Sequence, residues 1–319
     1  MAPTKRKKGE VVKSIRIMLI TSLITLFTVS TLCVPDKTQG RENLFKMGRE
    51  KTAADNIKTD VPYLNDKDPR HRLDIYLPPQ NNHPSPVLIH IHGGGWKIGD
   101  KKQIKDTGDF YASRGILFIT PNYRLSPAVT HPSHAVDCAA AAAWVFDHAE
   151  ELGGDKKRIF LSGHSAGAHL AALLGTDNSF LGKYKIKPDD LAGIIPVDTA
   201  SFDLLSDKNE RPVKRFIKQA FGSDKDILKK ASPFYNVTEE SSYPAFLILN
   251  TDSRENAVKA GKDFAGRLKD AGCDVQFIPV ENHTHREMAE GMHDASDPVS
   301  KEVFQFIGKR NKIRFNTGI

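Results

Sequence analysis

A serine hydroxyl is a poor nucleophile until a base takes its proton and fixed donors receive the charge that develops on the attacked oxygen. The pentapeptide Gly163-His164-Ser165-Ala166-Gly167 offers such a serine. An apolar run, Ile159 to Leu161, leads into it, and an alanine- and leucine-rich stretch follows at once. Those patterns predict a buried strand, a very tight turn and a helix. The two glycines fit a chain reversal in which side chains flanking Ser165 would collide. The first amides of the following helix favour developing negative charge beside the hydroxyl. A short Gly-x-Ser-x-Gly motif is weak by itself, so the rest of the chain must supply a base, an acid and an oxyanion hole.

The elements that would hold such groups are legible as alternating patterns. His71 to Pro78 alternates like a half-exposed edge strand and is stopped by Pro78-Pro79. Val87 to His92 reads as a buried strand running directly into Gly93-Gly94-Gly95-Trp96, and Ile116 to Thr120 as another. A helix pattern covers about Ser133 to Leu152, with five consecutive alanines. Further strands are expected at 191–197, 244–250 and 274–280, with helices over 255–271 and 299–309. Strands apolar on both faces and alternating with helices imply an α/β fold with a mostly parallel sheet covered on both sides.

The chain has 319 residues, 39% hydrophobic and 27% charged, enough for one large α/β domain with extensions. Its formal charge of +7 is concentrated at one end. Residues 1–40 carry seven Lys/Arg against Glu10 and Asp36, leaving the remainder close to neutral, too little for a surface that tracks phosphates. No nucleic-acid partner is expected. Ile17 to Val34 is an uncharged, mostly apolar run behind a basic start, the pattern of a signal peptide or an N-terminal membrane anchor. An exported protein, periplasmic or extracellular, or one anchored by that segment, is the expectation; any membrane contact would come through the segment if it is retained. Residues 41–69 read as an irregular extension, 70–312 as the main domain, and 202–240 as a charged, loop-rich insert with an amphipathic piece near Val213 to Phe221, suited to a small lid. Cys138 and Cys273 read as buried free thiols, with a disulfide as the minority alternative. No Cys/His spacing resembles a zinc site and no glycine-rich phosphate loop occurs, so no metal and no cofactor are called for.

His92-Gly93-Gly94-Gly95-Trp96, then Asn122-Tyr123-Arg124, then Gly163-His164-Ser165-Ala166-Gly167 together resemble the α/β-hydrolase esterases of the hormone-sensitive-lipase and feruloyl-esterase-like type, over about residues 70–310. The resemblance implies the α/β-hydrolase fold and a serine esterase with Ser165 as nucleophile. It implies an oxyanion hole from the amides of Gly94, Gly95 and Ala166, with Gly93 as a substitute for one of them. The acid should follow the strand ending at Asn250, which points to Asp252, with Glu255 as a fallback. The base should lie in Glu281-Asn282-His283-Thr284-His285. The spacing to Gly291 and Asp297-Pro298-Val299 in similar esterases favours His283, with His285 as its competitor. His92 and His164 are expected to brace their loops, and Asn122 and Arg124 to fix the loop under the oxyanion hole. The implied activity is hydrolysis of carboxylic esters through an acyl-enzyme, on a small-molecule or polysaccharide ester carrying acetyl or feruloyl groups. An arylformamidase-like amide hydrolase and a catalytically inactive, ligand-binding hydrolase fold are the alternatives.

Overall fold

The computed structural model describes residues 56–79, 83–239 and 241–311. The basic and apolar segment at 1–34 and residues 41–55 of the 41–69 extension lie outside these residues. No helix among the described residues is long and apolar enough to cross a membrane.

Eight strands form one sheet: β1 (Ile57–Pro62), β2 (Arg72–Tyr76), β3 (Ser85–Ile91), β4 (Leu117–Pro121), β5 (Gly154–His164), β6 (Gly193–Val197), β7 (Phe246–Thr251) and β8 (Val275–Val280). Their spatial order is β1-β2-β4-β3-β5-β6-β7-β8. β1 and β4 each pair antiparallel with β2, and every other pairing is parallel. Two expectations change here. The 72–76 strand is interior rather than an edge, because Ile57–Pro62, read as irregular extension, pairs outside it. β1 is mostly exposed and carries Lys58 and Asp60, so it lacks the apolar run by which buried strands are read; charges of this kind suit a sheet edge.

Helices follow the strands: α1 (Lys105–Ala112), α2 (Ser133–His148), α3 (Ala166–Thr176), α4 (Asn178–Leu181), α5 (Arg211–Phe221), α6 (Lys225–Lys230), α7 (Pro233–Asn236), α8 (Glu255–Asp270), α9 (His285–Glu290) and α10 (Pro298–Asn311). Alternate strand residues face opposite sides of the sheet. Val87, Ile89 and Ile91 of β3, with Ile159 and Leu161 of β5, join a core that includes α2, α3 and α8. Leu88 and Phe160, between them in sequence, join a second core with Tyr111 of α1 and Val303, Phe304 and Ile307 of α10. That double burial explains why the central strands read as continuous apolar runs rather than alternating ones. Cys138 is buried in α2 and Cys273 is half-buried, both as free thiols.

Parallel strands share one direction, so the loops after β3, β5, β6, β7 and β8 open on the same edge of the sheet, where ligands bind in folds of this kind. Those loops carry the glycine run, Ser165, Asp198, Arg254 and His285 respectively. The segment between β6 and β7 holds α5, α6 and α7. The apolar residues of α5, Val213, Phe216, Ile217, Ala220 and Phe221, recur at helical spacing and turn inward, while Arg211, Lys214, Arg215 and Lys218 are exposed.

Candidate active site

Ser165 sits between β5 and α3 with φ 57° and ψ −117°, a backbone conformation that side chains rarely adopt. The flanking glycines make the turn feasible. A Cβ at Gly163 would lie 2.4 Å from the backbone of Gly167, and one at Gly167 would lie 2.1 Å from the carbonyl oxygen of Ile91. α3 therefore packs its first turn directly on β3. The amide of Ser165 donates to the Val197 carbonyl at 3.0 Å, which ties the nucleophile turn to the end of β6.

His285, not His283, faces the serine. Its Nε2 is 3.0 Å from Ser165 Oγ, and its Nδ1 is hydrogen-bonded to Asp198 Oδ2. His283 turns away, with Nε2 2.9 Å from Asp297 Oδ2 and Nδ1 2.7 Å from the Glu281 carbonyl. The physical reason lies in how the chain leaves β8. Asn282 adopts φ 60°, and the carbonyl of His283 is then held by the hydroxyls of Thr251 and Ser253. Thr284 caps α9 through a capping box with Glu287. His285 is thereby the first residue of that helix and points back at the serine. The spacing to Asp297 that favoured His283 reflects a real pairing, but one outside the site. His164 supports the arrangement: its Nε2–H donates to the His285 carbonyl at 2.9 Å.

Asp252 does not reach the site. It is exposed, and its amide donates to the Val280 carbonyl at 2.9 Å, continuing the β7–β8 ladder with the side chain outside. Glu255, the fallback, begins α8. The carboxylate at the imidazole is Asp198, one residue beyond β6, fully buried and at φ 45°. Burial alone would raise its pKa; the hydrogen bond from His285 and the charge of Arg254 outweigh that and hold it below the ordinary carboxylate value. Arg254 Nη1 donates to Asp198 Oδ2 at 2.9 Å. Thr251 N–H and Asn250 Nδ2 approach Oδ1 at 3.3 and 3.5 Å. The signal in the sequence was the acidic residue immediately after the apolar run Ile194-Ile195-Pro196-Val197, on the strand next to that of the nucleophile.

The glycine loop after β3 forms one wall. Gly95 and Ala166 line the cleft beside Ser165, and the carbonyl of Gly94, φ 113°, accepts from Lys97 and Ile98 in the adjoining turn. Gly93 packs beneath, where a Cβ would lie 3.3 Å from that of Ser165. Phe216 of α5 covers Gly95 so closely that a Cβ there would be 2.9 Å from its ring. Trp96 meets Phe221 edge-on at 5.0 Å, anchoring the same helix to the loop. The motif Asn122-Tyr123-Arg124 holds the scaffold. Asn122 bonds Lys101 N and Asp100, the Tyr123 hydroxyl donates to the His92 carbonyl, and Arg124 grips buried Asp137 with two nitrogens.

His164, Asp198 and His285 bring ligand-type atoms within 4.8 Å of one another. A cation among them would have to compete with the Arg254 guanidinium already on Asp198 and with the hydrogen bonds of His285. The geometry is that of a nucleophile, a base and an orienting carboxylate.

A sequence model of the BD-FAE family matches residues 73–262, more than half of the chain. The chain belongs to the BD-FAE family. Among curated proteins it is similar to a probable isoprenylcysteine alpha-carbonyl methylesterase ICMEL1 of Oryza sativa subsp. japonica, 40% identical over 259 residues, which cover 76% of this chain and 61% of that protein. It is also similar to esterase LipQ of Mycobacterium tuberculosis, 29% identical over 271 residues, covering 78% of this chain and 62% of that one. The chain spans about half to three fifths of the length of the curated relatives it matches. Among solved structures, esterase B from Lactobacillus rhamnosis aligns with a TM-score of 0.67 at 16% identity, over 86% of this chain and 91% of that one. A truncated carbohydrate esterase from gut microbiota aligns with a TM-score of 0.69 at 20% identity, over 81% and 96%. These two likenesses show the α/β-hydrolase fold that the BD-FAE chain was expected to have.

Proposed function

We propose that this BD-FAE chain is a carboxylic ester hydrolase that works through an acyl-enzyme on Ser165. The observation that carries the reading is the continuous relay Ser165 Oγ–His285–Asp198, with 3.0 Å between hydroxyl and imidazole. Ser165 attacks the ester carbonyl while His285 Nε2 takes its proton. Asp198 holds Nδ1 protonated, so that Nε2 is free to accept, and it stabilises the imidazolium that forms. The amides of Gly94, Gly95 and Ala166 receive the oxyanion. His285 then returns the proton to the leaving alcohol, and water activated by the same imidazole releases the acyl group.

The substrate class within this reading is a small or carbohydrate-linked ester, acetyl or feruloyl, met outside the cytoplasm. What supports the ester class is the cleft, a recess of about 260 Å³ lined by apolar Trp96, Val213 and Phe216 together with polar Thr199, Ser201, Glu210 and Arg254. Apolar lining suits an acyl chain and polar lining suits a hydroxylated alcohol. The test is a series of p-nitrophenyl esters of rising chain length beside acetylated xylan and N-formylkynurenine, with Ser165→Ala as control. Short esters should be cleaved best, and Ser165→Ala should lose at least about a thousandfold in kcat while folding normally. Preference for the formamide would favour amide hydrolysis instead, and a variant keeping more than about a tenth of kcat would exclude Ser165 as nucleophile.

A further inference from the structure

Asp198 is an exacting group to keep in place. It is fully buried, it occupies the left-handed backbone region at φ 45°, and the oxygen that meets His285 lies on a loop of its own rather than within a helix or strand. A buried carboxylate needs compensation for lost water, and an aspartate in that backbone region is held only by what surrounds it. The single oxygen Oδ2 accepts from both His285 Nδ1 and Arg254 Nη1. Those two nitrogens are 3.0 Å apart. With the imidazole proton directed at Asp198, both are donors, so this separation is two N–H groups converging on one acceptor and not a bond between them. Arg254 reaches further: Nη2 is 3.5 Å from Glu210 Oε1. Glu210 is the residue at the N-terminus of α5, the helix whose Val213 and Phe216 form the apolar wall of the cleft.

We propose that Arg254 is a positioning residue for the reaction: from the end of β7 it clamps the Asp198 carboxylate against His285 and joins that pair to the helix over the cleft. The proposal rests on the triad reading above. Arg254 lies two residues beyond Asp252, on the loop where an acid was expected. It serves the relay there by charge and by its fixed fork of donors rather than by accepting a proton. Because one guanidinium on the β7–α8 loop contacts groups from the loop after β6, the start of α9 and the start of α5, its loss frees Asp198 to rotate. Misplacement by about 1 Å in such a relay costs on the order of a hundredfold in rate. The clamp acts on the turnover step, so it should show in kcat rather than in KM.

The experiment compares Arg254→Met, Arg254→Lys and Arg254→Ala in the full chain on p-nitrophenyl acetate. kcat and KM are measured together with the thermal midpoint. Arg254→Met should lose roughly a hundredfold in kcat with KM within about threefold. Arg254→Lys should regain at least about a tenth of wild-type kcat, since it restores one cationic donor. Ethylguanidinium added to Arg254→Ala should raise kcat in a saturable manner, a response that repair of folding alone would not give. A rise in KM with unchanged kcat would overturn the proposal and make Arg254 a substrate contact. So would kcat within threefold of wild type in Arg254→Met. Loss of folding in the Met and Ala variants, with no recovery by Lys or ethylguanidinium, would reduce the ion pair to a structural one and also overturn it. An active His285→Ala would instead overturn the triad itself.

Discussion

Asp198→Asn and Asp252→Asn test the relay most sharply, because the two residues are chemically identical and only their placement differs. Asparagine tolerates the left-handed backbone at position 198, so the fold should survive. The amide oxygen, however, can replace Oδ2 toward His285 and Arg254 only by turning its NH₂ on Thr251 N–H and Asn250 Nδ2, which are themselves donors. If its NH₂ meets Nδ1, the imidazole proton moves to Nε2, and Ser165 loses its acceptor 3.0 Å away. The charge matters as well. In the reaction His285 becomes positive beside the Arg254 guanidinium, 3.0 Å from Nδ1, with Asp198 no longer between them. Two unit charges about 4 Å apart at an effective dielectric of ~20 interact by roughly 4 kcal/mol. At ~1.4 kcal/mol per decade that is about three decades in rate. Wrong-tautomer loss adds to it, so kcat for a short p-nitrophenyl ester should fall by roughly 10³ to 10⁴. Asp252→Asn, on an exposed side chain, should stay within threefold. The same logic separates the histidines: His285→Ala should match Ser165→Ala, and combining them should add little, while His283→Ala should cost less than about tenfold. An inactive Asp252→Asn beside an active Asp198→Asn would refute the assignment outright.

Buried histidines should make the protein acid-labile well above the carboxylate range. Burial depresses His92 and His134 to about 4 and His90 and His169 to about 3, against an ordinary value of 6.5. The unfolded chain therefore binds these protons first, so their contribution to stability is complete above 6.5 and is lost as pH falls toward 4. At pH 5 each costs about 2 kcal/mol, and four together rival the whole stability of a typical domain. The thermal midpoint should drop steeply between pH 6.5 and 4.5; a flat profile across that window would refute the burial argument. Separately, deleting residues 1–34 should retain the chain in the cytoplasm of a cell that otherwise exports it. Unchanged fractionation after the deletion would refute the targeting reading.

Much of the scaffold was legible because its signals are local. β3 and β5 announce themselves as apolar runs because both faces are covered, and Ser165 does so because its turn admits only small neighbours at 163 and 167. Asn122 and Arg124 were read as supports of the oxyanion-hole loop from the family resemblance and from the strand end just before them. The misplaced residues share a different property. Choosing between His283 and His285 depends on one left-handed residue, Asn282, and on hydroxyls from β7 that fix the chain's exit from β8. Neither is a pattern along the sequence: the first is a single backbone conformation and the second a tertiary contact. β1 was missed because an exposed, charged edge strand carries no periodic apolar signal.

The position of the acid follows from the order of strands. β6 lies between β5, which carries Ser165, and β7, while His285 reaches across from the loop after β8. A carboxylate at the end of either β6 or β7 is therefore near enough to orient the imidazole, and the fold alone does not choose between them. Local chemistry does. At the end of β7 the ladder bond from the Asp252 amide to Val280 accompanies a solvent-exposed side chain, and the residue of that loop lining the cleft is Arg254. A cation there cannot orient an imidazole by accepting its proton, but it can stabilise an anion beside it. The acid is accordingly supplied one strand closer to the nucleophile, at Asp198, and the arginine holds it. Chain order, serine then acid then histidine, is preserved in either case, so the order of the motif could not reveal which strand end carries the acid.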